Sequence, residues 1–160
     1  MTSVIISNYN EKYFKNRNEF EKTCITIKQK LLEIIWQAYC SGYTDFYTNC
    51  EFGIPLWSAE IICALKLYNK IYLHIVIPYE EQCLNWCEEW RNRYYDVHSK
   101  ADSVIFVNKC YHENCHNDAC KTMINHGDTV FVFGKQSNKS YAEKYAQSIN
   151  TKIKYYDFIL

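Results

Sequence analysis

Two hydrophobic periods alternate along this chain, and that alternation limits the folds open to it. Val4-Ile5-Ile6 is a short apolar run ahead of the polar residues 7–10, the form of a buried strand that empties into a loop. From Asn18 the spacing changes. Phe20, Cys24, Ile27, Leu31, Ile34 and Ala38 recur three or four residues apart, which predicts an amphipathic helix with Gly42 placed to end it. Residues 43–48 are expected to form a second strand. Pro55 then stands where a helix start tolerates proline, and Leu56, Ala59, Ile62, Cys63 and Leu67 supply another helical stripe.

Residues 71–77 read as a third strand, apolar except for His74 and stopped by Pro78. A strand apolar on both faces needs cover on both, as in a parallel sheet between helices. A helix is expected over 81–100, with Leu84, Cys87 and Trp90 on one side, and further strands over 103–107, 129–133 and 153–159. Helical patterns near 118–125 and 141–150 separate them. The series selects an α/β chain: a Rossmann-like three-layer αβα sandwich around a mostly parallel sheet, its crossovers right-handed.

Composition narrows the function classes. With 160 residues the chain is expected to be one domain, and 48% apolar against 22% charged residues is a folding balance. Eighteen basic residues offset eighteen acidic ones, so the basic excess that drives phosphate-backbone binding is missing and nucleic acid is an unlikely partner. No stretch approaches the ~18 apolar residues that span a bilayer, and the first ten residues lack the pattern of an export signal. A cytoplasmic protein without membrane contact is expected. Nine cysteines, odd in number and irregularly spaced, read as reduced thiols.

In an open α/β sheet the ligand crevice lies beyond the carboxyl ends of the strands. The loop Thr48-Asn49-Cys50-Glu51-Phe52-Gly53 falls there, ahead of a helix N-terminus whose free N–H groups favour an anion. Gln82, Trp86 and Trp90 recur four residues apart and are expected on one helical face, an aromatic platform with an amide to read a base edge. Ser137, Asn138, Lys139 and Ser140 form a further polar turn, with Lys139 as a point charge for phosphate. A zinc alternative rests on Cys110, His112, Cys115 and His116, four ligand-type residues in a short span, although their spacing is not a recurrent zinc pattern. No cofactor is called for.

Several motifs carry a family likeness. They are Gly53-Ile54-Pro55-Leu56-Trp57-Ser58-Ala59-Glu60, the spacing Pro78…Gln82…Trp86, Arg93-Tyr94, Ala101-Asp102-Ser103-Val104, Tyr111…Cys115, Met123-Ile124 before Asp128, and Tyr145-Ala146. In this order they resemble the SLOG superfamily, which includes the DNA-processing Smf/DprA proteins and the lonely-guy enzymes, and most of all its YpsA-like branch. The departures fall on glycine. Ser7-Asn8 stands where that branch usually has Thr-Gly, Thr48-Asn49-Cys50 where it has Ser-Gly-Gly, and Ser137-Asn138-Lys139 where Gly-Gly-Thr is usual. An Arg-Asn pair usual after Cys115 reads Ala119-Cys120. Glycine lets backbone N–H groups approach a phosphate without a Cβ in the way, so phosphate cradling is weakened here.

The resemblance implies a non-catalytic domain that binds or senses a nucleotide-derived small molecule. Asn8, Trp57, Tyr79 and Tyr111 complete the candidate binding set with the loop residues above. A second reading, drawn from the lonely-guy relatives, is cleavage or transfer of an N-glycosidic bond, with Glu60 as nucleophile or electrostatic stabiliser and Arg91 or Arg93 beside it. A third is an interaction module in which the pocket is vestigial and the aromatic surface near Trp86 and Trp90 forms a homo-oligomer or docks a partner.

Overall fold

Alternate residues of the central strands are apolar in both directions, and the computed structural model, which describes residues 1–9, 14, 20–134 and 140–158, shows the two helical layers this demands. Six strands, β1 (Thr2–Ser7), β2 (Asp45–Thr48), β3 (Tyr72–Tyr79), β4 (Ser103–Asn108), β5 (Thr129–Phe133) and β6 (Lys152–Tyr156), form one sheet in the order β4-β3-β2-β1-β5-β6. Every pairing is parallel, with Val4 opposite Tyr47 on one side and Val130 on the other. Ile5, Leu73, Ile75, Ile77, Phe131 and Phe133 face one way, into a core shared with α1 (Lys22–Cys40), α2 (Ile54–Leu65) and α3 (Glu88–Lys100). Val4, Ile6, Val76, Val130 and Val132 face the other way, against α4 (Cys115–His126) and α5 (Tyr141–Ser148). The expected sandwich is present, and its sheet is parallel throughout.

The strand order reverses between β1 and β5: strands two to four step outward from β1 on one side, and the chain then returns to place β5 on the other. The edges are less covered than the centre, and β6 carries Lys152 and Lys154, charges that blunt an exposed edge.

Some boundaries differ from the sequence reading for local physical reasons. The described part of α1 begins at Lys22, and its buried stripe is Cys24, Ile27, Leu31, Ile35 and Ala38, so Ile35 takes the place expected of Ile34 while Phe20 is 85% exposed. Gly42, at φ 92°, lets the chain leave that helix. Leu67 lies beyond the end of α2 and is exposed. Pro78 sits inside β3 because β2 ends opposite Ile75, leaving one flank of the strand without a neighbour that needs its N–H. The helix expected over 81–100 begins only at Glu88: Gln82, Leu84 and Trp86 donate to the carbonyls of Tyr79, Glu81 and Cys83, so the first part is a series of tight turns. Gln82, Trp86 and Trp90 therefore do not share one helical face.

Candidate functional site

The β2–α2 loop departs from ordinary backbone twice. Cys50 takes φ 51°, a left-handed conformation that a glycine adopts freely, at a position where the sequence carries no glycine. Gly53 takes φ 95° as it enters α2, and a Cβ there would lie 2.5 Å from the ring of Phe14. Side chains hold this path. The Thr48 hydroxyl donates to the Pro55 carbonyl at 3.3 Å and accepts from the Cys50 N–H at 3.4 Å, while the Glu51 N–H donates to Asn49 Oδ1 at 3.2 Å. Gln82 Nε2 donates to the Asn49 carbonyl at 3.2 Å, and Tyr94 donates to Gln82 Oε1 at 3.5 Å.

Thr48, Asn49, Cys50 and Gln82 are thus buried loop-builders. The Cys50 thiol is pushed well above its ordinary pKa by burial first, then by Cys63 and Glu60, which disfavours a reactive thiolate. Trp57 is also buried, edge-on to Phe14 at 5.0 Å, with Lys28 Nζ over its ring at 4.8 Å.

Above this loop opens a cavity of about 350 Å³ whose wall is formed by Ser7, Tyr9, Glu51, Phe52, Pro55, Tyr79, Gln82, Asn85, Trp86 and His116. The ends of β1 and β3 and the loop that follows β2 border it, and His116 reaches it from the start of α4 on the other side of the sheet. His116 Nδ1 lies 2.6 Å from Glu51 Oε1. The acceptor-only carboxylate sets the proton on that nitrogen, and the ring holds Glu51 in place. Tyr79 meets the rings of His116 and Tyr111 edge-on at 5.9 and 5.3 Å, and Phe52 packs on Trp86 and Trp90 at 5.9 and 3.9 Å.

Of the expected binding set, Glu51, Tyr79, Gln82 and Trp86 line the cavity, and Tyr111 stands behind Tyr79. Phe52 of the expected crevice loop joins them, as do Ser7, Tyr9, Pro55 and Asn85, which were not singled out as ligand contacts, and His116 joins as a wall residue instead of a metal ligand. Asn85 is exposed and its amide makes no hydrogen bond among the described residues, whereas the amide of Gln82 is engaged with the loop. No lysine or arginine lines the cavity among the described residues.

The N-terminus of α2 has few N–H groups left for an anion. Pro55 has none, that of Leu56 donates to the Glu51 carbonyl at 3.1 Å, and that of Trp57 to the Gly53 carbonyl at 2.9 Å.

Asn8 and Ser140 meet elsewhere, across the β1–β5 reversal. Asn8 Nδ2 donates to Glu143 Oε2 at 2.8 Å, and the same oxygen accepts from the Ser140 N–H and hydroxyl at 2.7 and 2.8 Å, completing a capping box on α5. Burial would raise the Glu143 carboxyl, but these donors together with Tyr155 outweigh it and hold the group below its usual range. The sequence pattern Ser140-x-x-Glu143 could have shown this cap. Asn138 and Lys139 lie outside the described residues.

Glu60 and Arg93 form a two-pronged ion pair, Nε to Oε1 at 2.6 Å and Nη2 to Oε2 at 2.7 Å, with the guanidinium over Trp90 at 4.2 Å. Neither lines the cavity, and Glu60 borders instead an apolar depression of about 510 Å³ between α1 and α2. The zinc alternative does not assemble: among the described residues no three His, Cys, Asp or Glu side chains converge as metal ligands. Cys115 is buried, His116 is bound to Glu51, and Cys110 is exposed. No helix among the described residues is long and apolar enough to cross a membrane.

The comparisons agree with this architecture. A family model described as the YspA SLOG family matches residues 4–159. A UPF0398 protein of Halalkalibacterium halodurans is 31% identical over 83 residues, 51% of this chain and 42% of the relative. One from Listeria monocytogenes is 33% identical over 92 residues, 56% and 47% of the two chains, so the matched part spans less than half of either relative. Among solved structures, DNA processing protein A from Helicobacter pylori, described for its single-stranded DNA binding mode, superposes with a TM-score of 0.63 at 10% identity over 97% of this chain and 64% of that one. This last likeness is one of fold.

Proposed function

Since the chain belongs to the YspA SLOG family, we propose that the cavity at the carboxyl ends of β1–β3 binds a nucleotide-derived small molecule without transforming it. The observation that carries the reading is the wall itself. Tyr9, Phe52, Tyr79 and Trp86 offer aromatic surface, and Glu51, Asn85 and Ser7 offer polar groups beside it, within about 350 Å³. The lining is more polar than apolar, and rings set beside directional polar groups supply both stacking surface and orientation for a small ligand. Single-stranded DNA, the ligand named for the Helicobacter protein, fits less well: tracking a phosphate backbone needs basic side chains, and the described wall has none.

The test is thermal unfolding with a panel of nucleosides and mononucleotides, alongside chromatography for released base. A ligand at a hundred times its Kd stabilises by about 2.7 kcal/mol. For a chain of this size that raises Tm by roughly 5–10 °C. At least one member of the panel is expected to give this rise with no base released, and Trp86→Ala is expected to remove most of it. Absence of any shift across the panel, tight binding of single-stranded DNA in its place, or accumulation of free base would overturn the proposal.

A further inference from the structure

We infer that this cavity receives the nucleoside end of its ligand with the ribose 2′ and 3′ hydroxyls unsubstituted, read by the Glu51 carboxylate. The inference rests on the small-molecule reading above and narrows it to one chemical feature. Glu51 stands three residues beyond the end of β2. In dinucleotide-binding sheets with a glycine-rich first turn an Asp or Glu further along the chain accepts from a ribose hydroxyl, and Glu51 offers the same acceptor chemistry at the sheet's carboxyl edge, without that glycine turn. Here its Oε1 is fixed by His116 at 2.6 Å, Oε2 makes no hydrogen bond among the described residues, and Glu51 forms part of the cavity wall. A vicinal diol presents two O–H donors to such an oxygen at no electrostatic cost. A phosphate on either hydroxyl would bring two negative groups together.

Three further observations point the same way. The described wall holds no lysine or arginine to neutralise a phosphate, and the first-turn amides of α2 are absent at Pro55 and spent at Leu56 and Trp57. The half-buried rings of Tyr79 and Trp86 supply aromatic surface for a base, and Asn85 supplies the unengaged amide that can meet its edge. A volume of about 350 Å³ lies near the lower end of the range for ligand sites and is enough for one nucleoside moiety.

The experiment is calorimetric titration of the full chain with the four common ribonucleosides, their 2′-deoxy forms, their 2′,3′-cyclic phosphates and their 5′-monophosphates. Losing one hydrogen bond to a charged acceptor weakens binding at least tenfold. The ribonucleoside that binds is therefore expected to exceed its 2′-deoxy and 2′,3′-cyclic phosphate forms by at least that factor, and Glu51→Gln is expected to shrink both preferences.

If nucleosides or nucleotides bind but the 2′-deoxy or cyclic forms bind equally well, the diol inference is overturned and the small-molecule reading stands. If nothing on the panel binds, both fail. The ribo-to-deoxy ratio is measured on the unaltered protein, so it remains decisive even if Glu51→Gln does not fold.

Discussion

Gly53→Ala tests the geometry on which the cavity floor depends. Gly53 has φ 95° and ψ −129°, a region that residues with a Cβ rarely enter, and the strain of forcing one there is about 1–3 kcal/mol. The added methyl would also fall 2.5 Å from Cδ2 of Phe14, whose ring is buried and wedged edge-on against Trp57, so it has little room to retreat. Overpacking of this kind costs about 1–3 kcal/mol. Alanine returns roughly 0.4–1 kcal/mol by restricting the unfolded chain.

The net loss is therefore on the order of 2–5 kcal/mol, a fall in Tm of roughly 5–15 °C for a chain of this length. Urea unfolding followed by tryptophan fluorescence measures it, with Phe14→Ala and the double variant completing a cycle. Removing the ring should relieve the clash, so the double variant should be more stable than the sum of the two losses by about 1–3 kcal/mol. A single-variant loss below about 1 kcal/mol, or losses that add within about 0.5 kcal/mol, would refute the reasoning, since contacting sites are expected to couple by more than that.

Two further outcomes follow from the packing. Arg93→Ala breaks the two-pronged pair with Glu60 and the cover over Trp90, and should cost about 1–3 kcal/mol in denaturant unfolding while leaving nucleoside affinity unchanged, since neither partner lines the cavity. A drop in affinity with stability preserved would count against that separation. Burial against Tyr94 and Phe106 lowers the His98 pKa from 6.5 to about 4. The unfolded chain thus takes up a proton between those values that the folded chain refuses, and stability should rise with pH across that window and be lost as pH falls from about 6.5 toward 4. The ring is partly exposed, so solvent screening leaves on the order of 1 kcal/mol. Unfolding of His98→Phe as a function of pH should show a shallower slope there, and an unchanged slope would remove His98 as its source.

The chain's own pattern fixed the succession of elements. The run 129–133 matches β5 to the residue, Pro55 opens α2 as its missing N–H allows, and the glycine at 42 ends α1. These follow from side-chain period and backbone restriction, which act over a few neighbours and are written locally. The capping box of Ser140 and Glu143 was equally legible, since its partners are three residues apart.

Tertiary structure decided the order of strands and, through it, the site. Glu51 and His116 are 65 residues apart in sequence, and they meet only because α4, after leaving edge strand β4, crosses back over the sheet toward β1. Thr48, Asn49 and Gln82 looked like ligand contacts because they are polar residues in loops at the sheet's carboxyl end. Folding spent their polar groups on the left-handed turn at Cys50 and the entry at Gly53, and of the three only Gln82 also forms part of the cavity wall. Asn85 was left to face the cavity because the chain before α3 coils into tight turns, and that path depends on what Phe52 and Tyr94 pack against. Local pattern specifies which segments are strands and helices; which polar groups are spent on the backbone and which remain for a ligand is set by contacts between segments far apart in the chain.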